Sequence, residues 1–263
     1  PQAAGINALA TLNIRGERSV TCRGDFDRHP DDGPLPAGAP AVCEIFRRYP
    51  DALEQAAELD KQYGRNPDFA KMPLYGVVFS FKDAFDTKDM RSTGGGDAAY
   101  DIDFPARDHI LVDQLRKKGA IIYAKALMTE YNGRASTRGP ANHNSVALIL
   151  PHKAMLGFDG GAIGADIYCD RTGILCRTLA DCAKVLDALK DAENGYYDPR
   201  DPYTTVPRSS VLAGGYAEHA RTNGAKGALK GVRIGVVRES MLAAGAKAAE
   251  PITTAVAKEI KAM

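Results

Sequence analysis

A lysine that closes an apolar strand and a serine further along the chain are the two residues best suited to act together. Residues 77–82 alternate Val, Phe, Phe with Val, Ser, Lys, the period of two that is typical of a strand. Lys82 ends this run. Its ammonium must either reach water and pair with Asp83, or sit in a pocket that lowers its pKa. In the second case the neutral amine is a general base, and the local sequence leaves both interpretations open.

Ser136 is the candidate nucleophile, because a serine hydroxyl attacks a carbonyl only after a base takes its proton. It begins the segment Ser-Thr-Arg-Gly-Pro at residues 136–140. Taken alone, this segment predicts only a turn serine in a polar loop. Backbone N–H groups beside a nucleophile can stabilise a developing oxyanion, and here they would come from Ala135 and its neighbours.

Apolar strands and the helices between them must position these side chains. We expect strands at 74–81, 120–125, 145–150 and 231–237. We expect the end of a helix within 5–14, and two helices between 41 and 62 with the second starting near Asp51. We expect further helices at 107–118 and 248–263, and a turn that continues as an amphipathic helix within 170–191. Gly119 follows the helix at 107–118, where a glycine commonly ends a helix. The strand, helix and strand at 74–125 form a βαβ unit, which requires a parallel pair.

The composition is that of an ordinary globular chain. It has 263 residues, 44% hydrophobic and 25% charged, with a formal net charge of +1. No basic block indicates nucleic acid, no apolar run is long enough for a membrane span, and the N-terminal residues lack the pattern of a signal peptide. The five cysteines include no Cys-x-x-Cys pair, so we expect no metal cluster and a reducing, cytoplasmic compartment. A disulfide between Cys22 and Cys43 is the weaker alternative.

Three rival sites receive less support. Gly94–Gly96 could cradle a phosphate, but neither a helix start nor a suitably placed Lys-Ser/Thr follows. Ser136 and His143 could form a Ser–His–Asp triad, but nothing orients the histidine. Cys169 and Cys176 could be thiol nucleophiles, but without a paired histidine motif we expect them to be packing residues.

Several motifs occur in an order that resembles the amidase signature family of serine hydrolases. They are Pro-Leu-Tyr-Gly and Lys-Asp around the first strand, Lys-Ala-Leu-Met-Thr-Glu-Tyr after the second, Ser-Thr-Arg-Gly-Pro, and Asp-Arg-Thr-Gly followed by Arg-Thr-Leu-Ala-Asp. They lie at 73–83, 125–131, 136–140 and 170–181. The resemblance covers most of residues 51–190 and extends more weakly to 229–239. The ordered set is far more specific than any one motif.

The resemblance implies an α/β fold, an αβα sandwich around a mixed, largely parallel sheet. It also implies hydrolysis of a carboxylic amide through a serine acyl-enzyme, with no metal or organic cofactor. Lys82 matches the family's base, Ser136 its nucleophile and Arg138 a structural ion-pair partner, with Ala135 beside the oxyanion. The partner would be a small-molecule amide, with no nucleic acid and no membrane. We expect an N-terminal helix and loop extension at 1–50 and a partial amidase signature domain at 51–263.

The chain departs from the family where a relay serine is expected. The family carries a Ser-Ser-Gly-Gly-Ser segment between its lysine and its nucleophile, whereas only 53 residues separate Lys82 from Ser136 and no such segment occurs. Either residues near 132–136 are absent from the sequence, which we favour, or the segment is deleted and the protein is inactive. The final helix has no capping glycine, so we also expect the C-terminal part to be missing.

Two other functions remain open. The chain could be a non-catalytic amidase-like scaffold, or the amidotransferase A-type subunit that supplies ammonia for transamidation on tRNA. The sequence leaves the amide substrate and the oligomeric state open, a homodimer included.

Overall fold

The computed structural model describes residues 8–95, 103–128, 147–152, 155–158, 171–190, 208–220, 230–235 and 250–262. The chain divides into two compact units, Pro1–Ala220 and Arg221–Met263. The first unit holds both of the described sheets and the described residues of the candidate site. None of the described helices is both long enough and apolar enough to cross a bilayer.

A three-stranded mixed sheet forms the centre of the first unit. Its strands are β1 (Leu9–Leu12), β2 (Val78–Lys82) and β3 (Ile121–Ala126), in the order β1-β3-β2. β2 runs parallel to β3, and helix α3 (Ile110–Lys117) connects them, so the predicted βαβ unit is confirmed. The predicted α/β class with a mixed sheet is confirmed as well.

The helix expected within residues 5–14 is wrong for its described part. Leu9–Leu12 form β1, which pairs antiparallel with β3. A short apolar run does not distinguish a helix from a strand by its own pattern, and here the open edge of β3 decides the outcome. This pairing joins the N-terminal segment to the central sheet. The expected domain boundary at residue 50 stays a prediction.

A second, antiparallel sheet pairs β4 (Ala147–Ile149) with β5 (Ile174–Cys176), and helix α4 (Leu179–Leu189) packs on it. β4 lies within the strand predicted at 145–150. β5 was not predicted, because three residues are too few to show a periodicity. The strand predicted at 231–237 is wrong for its described residues 231–235, which form no regular element.

The remaining helices begin and end close to where the sequence places them. They are α1 (Cys43–Phe46), α2 (Ala52–Tyr63) and α5 (Glu250–Ala262). Asp51 caps α2, since its carboxylate accepts from the N–H groups of Leu53 and Glu54 while the Glu54 carboxylate accepts from the Asp51 N–H. This capping box explains why the second helix starts just after Pro50.

The main apolar core lies between the parallel strands and helices α3 and α4. Leu111, Val112 and Leu115 form the buried face of α3, and Ile122 of β3 is fully buried among them. On α4, the buried side chain of Leu186 belongs to the same apolar cluster. The core therefore supports the two parallel strands, each of which carries a lysine at its carboxyl end.

The N-terminal segment has its own small core, which a disulfide closes. Cys22 and Cys43 are bonded, and both pack with Phe46. Beside them Arg18 and Asp27 form a fully buried ion pair, with Nε–Oδ2 at 2.7 Å. The expectation of free thiols at Cys22 and Cys43 is therefore wrong. This loop-rich stretch buries few apolar side chains, and the disulfide adds stability that a larger apolar core would otherwise provide.

Reduction of this disulfide is expected to lower the free energy of unfolding by about 3 kcal/mol, the chain-entropy value for a loop of this size. The two cysteines are 21 residues apart. Urea unfolding with and without dithiothreitol measures the loss. The double variant Cys22→Ala/Cys43→Ala should show the same loss and no further response to reductant, whereas Cys176→Ala, which replaces a free cysteine, should keep the response. Equal unfolding midpoints with and without reductant would contradict the prediction.

Gly119, the predicted terminator of α3, is expected to be intolerant of a side chain. Its φ is +90°, and a Cβ there would lie 2.9 Å from the Cα of Tyr75. Gly119→Ala therefore adds a backbone clash to the ordinary cost of a left-handed conformation, about 1–2 kcal/mol. Gly38→Ala is the matched control, because Gly38 has the same φ of +90° and no atom within 4 Å of an added Cβ. Urea unfolding should show a clearly larger loss at Gly119, and equal losses would exclude the clash.

Candidate active site

Two lysines stand at the carboxyl ends of the parallel strands, one on each. Lys82 ends β2, and Lys125 is the penultimate residue of β3. The carboxyl ends of parallel strands are the common place for ligands in α/β sheets. Phe81 is in register with Lys125 and Lys82 with Ala126, so the two lysines project to opposite faces of the sheet.

Lys82 is exposed to solvent in the structure and lines the edge of an apolar cavity. Its strand neighbours Val78 and Ser80, on the same face, are exposed as well. A neutral lysine needs an environment that excludes water, and the described residues do not enclose Lys82 in that way. Its role as a base therefore stays a prediction.

Lys125 has the buried environment that the sequence suggested for Lys82. Its side chain is 0% exposed, and Nζ lies 3.4 Å from Oδ1 of Asp83. Nζ also donates to the Ser92 hydroxyl at 2.7 Å and to the carbonyl oxygen of Arg91 at 3.4 Å. Burial lowers the pKa of Lys125, and the charge of Asp83 opposes that shift. The sequence contained the signal, since residues 120–125 are also an apolar strand that a lysine closes.

Asp83 connects the two lysines through the backbone as well as through its charge. Its N–H donates to the carbonyl of Ala126 at 3.0 Å, which ties the residue after Lys82 to the end of β3. Its Oδ2 accepts from the N–H and the hydroxyl of Thr93. The loop at 83–95 is thus held at both ends, and the position of the Lys82 backbone depends on it.

A second polar network holds the middle of the same loop. Oδ2 of Asp89 accepts from Nη2 of Arg116 at 2.7 Å, from Asn13 at 3.0 Å and from Gln55 at 3.2 Å. Burial disfavours the charge on Arg116, but Asp89 and Asp108 raise its pKa overall. Buried charges are tolerated when they are paired in this way, and the contacts of Asp89 tie the loop to α2, to α3 and to the segment after β1.

Lys125 is expected to make the free energy of unfolding depend on pH. Because folding lowers its pKa from the ordinary value of 10.5, the unfolded chain binds more protons in the interval between the folded pKa and 10.5. The free energy of unfolding should therefore rise with pH across that interval through this group. Lys125→Met is expected to flatten the rise, measured as urea midpoints between neutral pH and pH 10.5. Lys184→Met, an exposed lysine on α4, is the control. An unchanged slope in Lys125→Met would contradict the assignment.

A cavity of about 320 Å³ lies beside Lys82. β2 contributes Phe79 and Phe81 to its wall, and α3 contributes Leu111 and Leu115. Its other walls come from the segments around β4 and β5 and from α4: Leu148, Leu150, Phe158, Arg171, Thr172, Gly173, Ile174, Leu175, Val185 and Leu189. The arrangement places one candidate catalytic group next to a largely apolar chamber.

Most of the other predicted site residues lie outside the part of the chain that the structure describes. These are Ala135, Ser136 and Arg138, and the whole interval near 132–136 where a relay segment is expected. His143 and Cys169 of the rival sites lie outside it too. Cys176 is described, and burial raises the pKa of its thiol to about 12, which argues against a thiolate nucleophile.

The site and the fold define an α/β protein with strand-end lysines at the carboxyl edge of a parallel strand pair. Residues 41–137 match the family model described as Amidase. The resemblance to the amidase signature family is thereby confirmed. The matched range contains both Lys82 and Ser136.

Known relatives agree with the family. A probable amidase of Arabidopsis thaliana is 28% identical over 250 residues, which cover 75% of this chain and 47% of that protein. The A-type subunit of the chloroplastic/mitochondrial glutamyl-tRNA(Gln) amidotransferase of Zea mays is 37% identical over 90 residues, 34% of this chain and 16% of that protein. The chain thus spans less than half the length of these relatives. The alignment with the Arabidopsis protein is 250 positions long, which is more than three quarters of 263 residues. It therefore includes positions of the Arabidopsis protein that have no counterpart in this chain.

Among solved structures, the native peptide amidase from Stenotrophomonas maltophilia matches with a TM-score of 0.48 and 24% identity. The match covers 64% of this chain and 43% of the peptide amidase. An amidase family protein from Bacillus anthracis matches with a TM-score of 0.48 and 21% identity, over 58% of this chain and 39% of that one.

Proposed function

We propose that the protein hydrolyses a carboxylic amide to an acid and ammonia or an amine, with Ser136 as nucleophile and Lys82 as base. The observation that carries the proposal is the match of residues 41–137 to the amidase family model, since this range includes both side chains. The ordered motifs around them give the same assignment residue by residue. A small-molecule amide is the substrate, and no cofactor is required.

The proposed reaction has two stages. The neutral amine of Lys82 takes the proton of the Ser136 hydroxyl, and the oxygen attacks the amide carbonyl carbon. The C–N bond breaks, the leaving nitrogen receives the proton, and an ester to Ser136 remains. Water, deprotonated by the same base, then attacks the ester and releases the acid. The N–H groups near Ala135 stabilise the oxyanion, and Arg138 supports the loop.

The exposure of Lys82 places one condition on this reaction. Lys82 is exposed to water in the structure, and water favours the charged form of an amine. A substrate that enters the adjoining cavity would remove water from the amine and favour its neutral form. A relay serine, if the complete protein has one, would carry the proton between Lys82 and Ser136.

Ammonia release from a panel of aliphatic and aromatic primary amides tests the proposal. The assay uses the protein expressed from its complete gene. We expect turnover of at least one amide and an acyl-enzyme that accumulates as a burst before the steady state. A complete absence of turnover across the panel would favour the non-catalytic scaffold, for which the exposed position of Lys82 is the specific argument.

An amidotransferase A-type role is the second candidate function. It is favoured by several relatives of that name, among them one from Nitratidesulfovibrio vulgaris that is 38% identical over 143 residues, 52% of this chain and 28% of that protein. Such a protein would supply ammonia for transamidation on tRNA, and we add glutamine to the panel as a candidate ammonia donor. Glutamine as the sole efficient substrate would therefore separate this role from that of a stand-alone amidase.

The cytoplasmic location stays a prediction, and the disulfide weighs against it. Structural disulfides persist in oxidising compartments and are rare in the cytosol. The Cys22–Cys43 bond therefore favours an oxidising environment. Whether these two cysteines are alkylated by a thiol reagent in intact cells before lysis measures this directly.

A further inference from the structure

We propose that the cavity beside Lys82 binds the acyl part of the substrate, and that it selects an apolar acyl group and rejects a cationic one. This inference rests on the proposed function, because it names the substrate class of the same site. The occupant is an amide of an arylalkanoic acid, such as 4-phenylbutanamide. The size, the lining and the charges of the cavity each support this choice.

The size and the lining fit an apolar group of that kind. The cavity of about 320 Å³ is at the lower end of the range for small-molecule pockets. Its wall is mainly Leu, Val, Ile and Phe, and aromatic rings of β2 and the following turn form one side. Phe81 and Phe85 lie with ring centroids 5.6 Å apart, which offers an edge for a third ring. Burying a phenyl ring here replaces water at surfaces that form few hydrogen bonds.

The charges explain the selectivity. The described residues that line the cavity include two cations, Lys82 and Arg171, and no carboxylate. A cationic acyl group would lie beside two like charges and would meet no carboxylate among these lining residues, so charge repulsion disfavours it. A neutral amide avoids this repulsion. The carboxylate product of hydrolysis is attracted to both cations, so the cavity should bind the product acid as well.

A single-tryptophan variant measures this binding without any need for turnover. The chain contains no tryptophan, so Phe158→Trp, at the cavity wall, would be its sole indole. Three ligands share one apolar chain and differ only in charge: 4-phenylbutanamide, 4-phenylbutanoate and 4-phenylbutylamine. We expect saturable fluorescence changes with the amide and the acid, and at least ~10-fold weaker binding of the amine. Phe85→Trp serves as a second reporter if Phe158→Trp fails to fold.

Two arginines provide a matched pair for the charge argument. Arg171→Glu in the reporter background should reduce the preference for the acid over the amine by ~10-fold or more. Arg177→Glu changes the net charge equally, but Arg177 is an exposed residue that does not line the cavity. It should leave the preference within about twofold. Equal effects of the two variants would show that only net charge matters and would overturn the proposal.

The remaining outcomes are also decisive. No saturable signal with any of the three ligands in either reporter would overturn the proposal, as would an amine that binds as tightly as the acid. Failure of the proposed function gives a different result. If the amide binds as expected but releases no ammonia, the cavity is an acyl-binding site and the hydrolytic assignment is wrong.

Discussion

Replacing Ser136 or Lys82 with alanine is expected to lower amide hydrolysis by at least ~1,000-fold, with little change in KM. Ser136→Ala removes the atom that forms the acyl-enzyme, and Lys82→Ala leaves the hydroxyl without a base. Because the two side chains act in one proton transfer, the double variant should be no slower than the slower single variant. Steady-state ammonia release from the best amide of the panel measures all three.

Two surface substitutions are the controls for this comparison. Ser210→Ala and Lys184→Ala change the same residue types at exposed positions away from the cavity and should keep full activity. Far-ultraviolet circular dichroism checks that every variant is folded. Wild-type rates in either Ser136→Ala or Lys82→Ala would contradict the assignment of roles. Full loss in Lys184→Ala would show that the assay reports folding rather than chemistry.

Breaking the buried pair of Asp83 and Lys125 is the other change with a large expected effect. Asp83→Asn removes the carboxylate paired with the buried Lys125 ammonium, which keeps its contacts with Ser92 and the Arg91 carbonyl. Lys125→Met leaves the buried Asp83 carboxylate without its counter-ion, although the contacts with Thr93 remain. Each single variant should lose about 3–5 kcal/mol of unfolding free energy. The double variant should lose less than the sum, because neither charge then remains buried alone.

An exposed ion pair gives the matched control for this cycle. Lys117 and Asp113 on α3 lie 2.6 Å apart, but their side chains are 71% and 45% exposed. Asp113→Asn and Lys117→Met should each cost about 0.5 kcal/mol or less. Urea unfolding of both cycles at neutral pH and the same ionic strength gives the comparison. Additive losses at Asp83 and Lys125 would mean that the pair is not coupled in the folded protein.

The parallel core of the fold was predictable because its signals are local and mutually consistent. The alternation at 77–82, the apolar face of α3 and Gly119 after it each indicate one element, and together they allow only a βαβ arrangement. Pro50 likewise indicated a helix start near Asp51, and in the structure the capping box of Asp51 and Glu54 begins α2 there. The resemblance to the amidase signature family could be recognised from the order of short motifs alone.

The other features depend on contacts between distant segments, which no local pattern encodes. β1 exists because the edge of β3 is available to it, and the disulfide exists because the fold brings Cys22 to Cys43. The site shows the same limit. Lys82 and Lys125 each close an apolar strand, yet one is exposed and the other buried, since burial depends on the face of the sheet and on what packs there.

Labelling with a fluorophosphonate probe tests the central claim most directly, because such a probe reacts only with an activated nucleophile. The protein expressed from its complete gene is treated with the probe, digested and analysed by peptide mass spectrometry, with Lys82→Ala treated in parallel. We expect a single adduct on Ser136 that is lost in Lys82→Ala. An adduct on a different serine, or equal labelling of Ser136 without Lys82, would contradict the assignment of nucleophile and base.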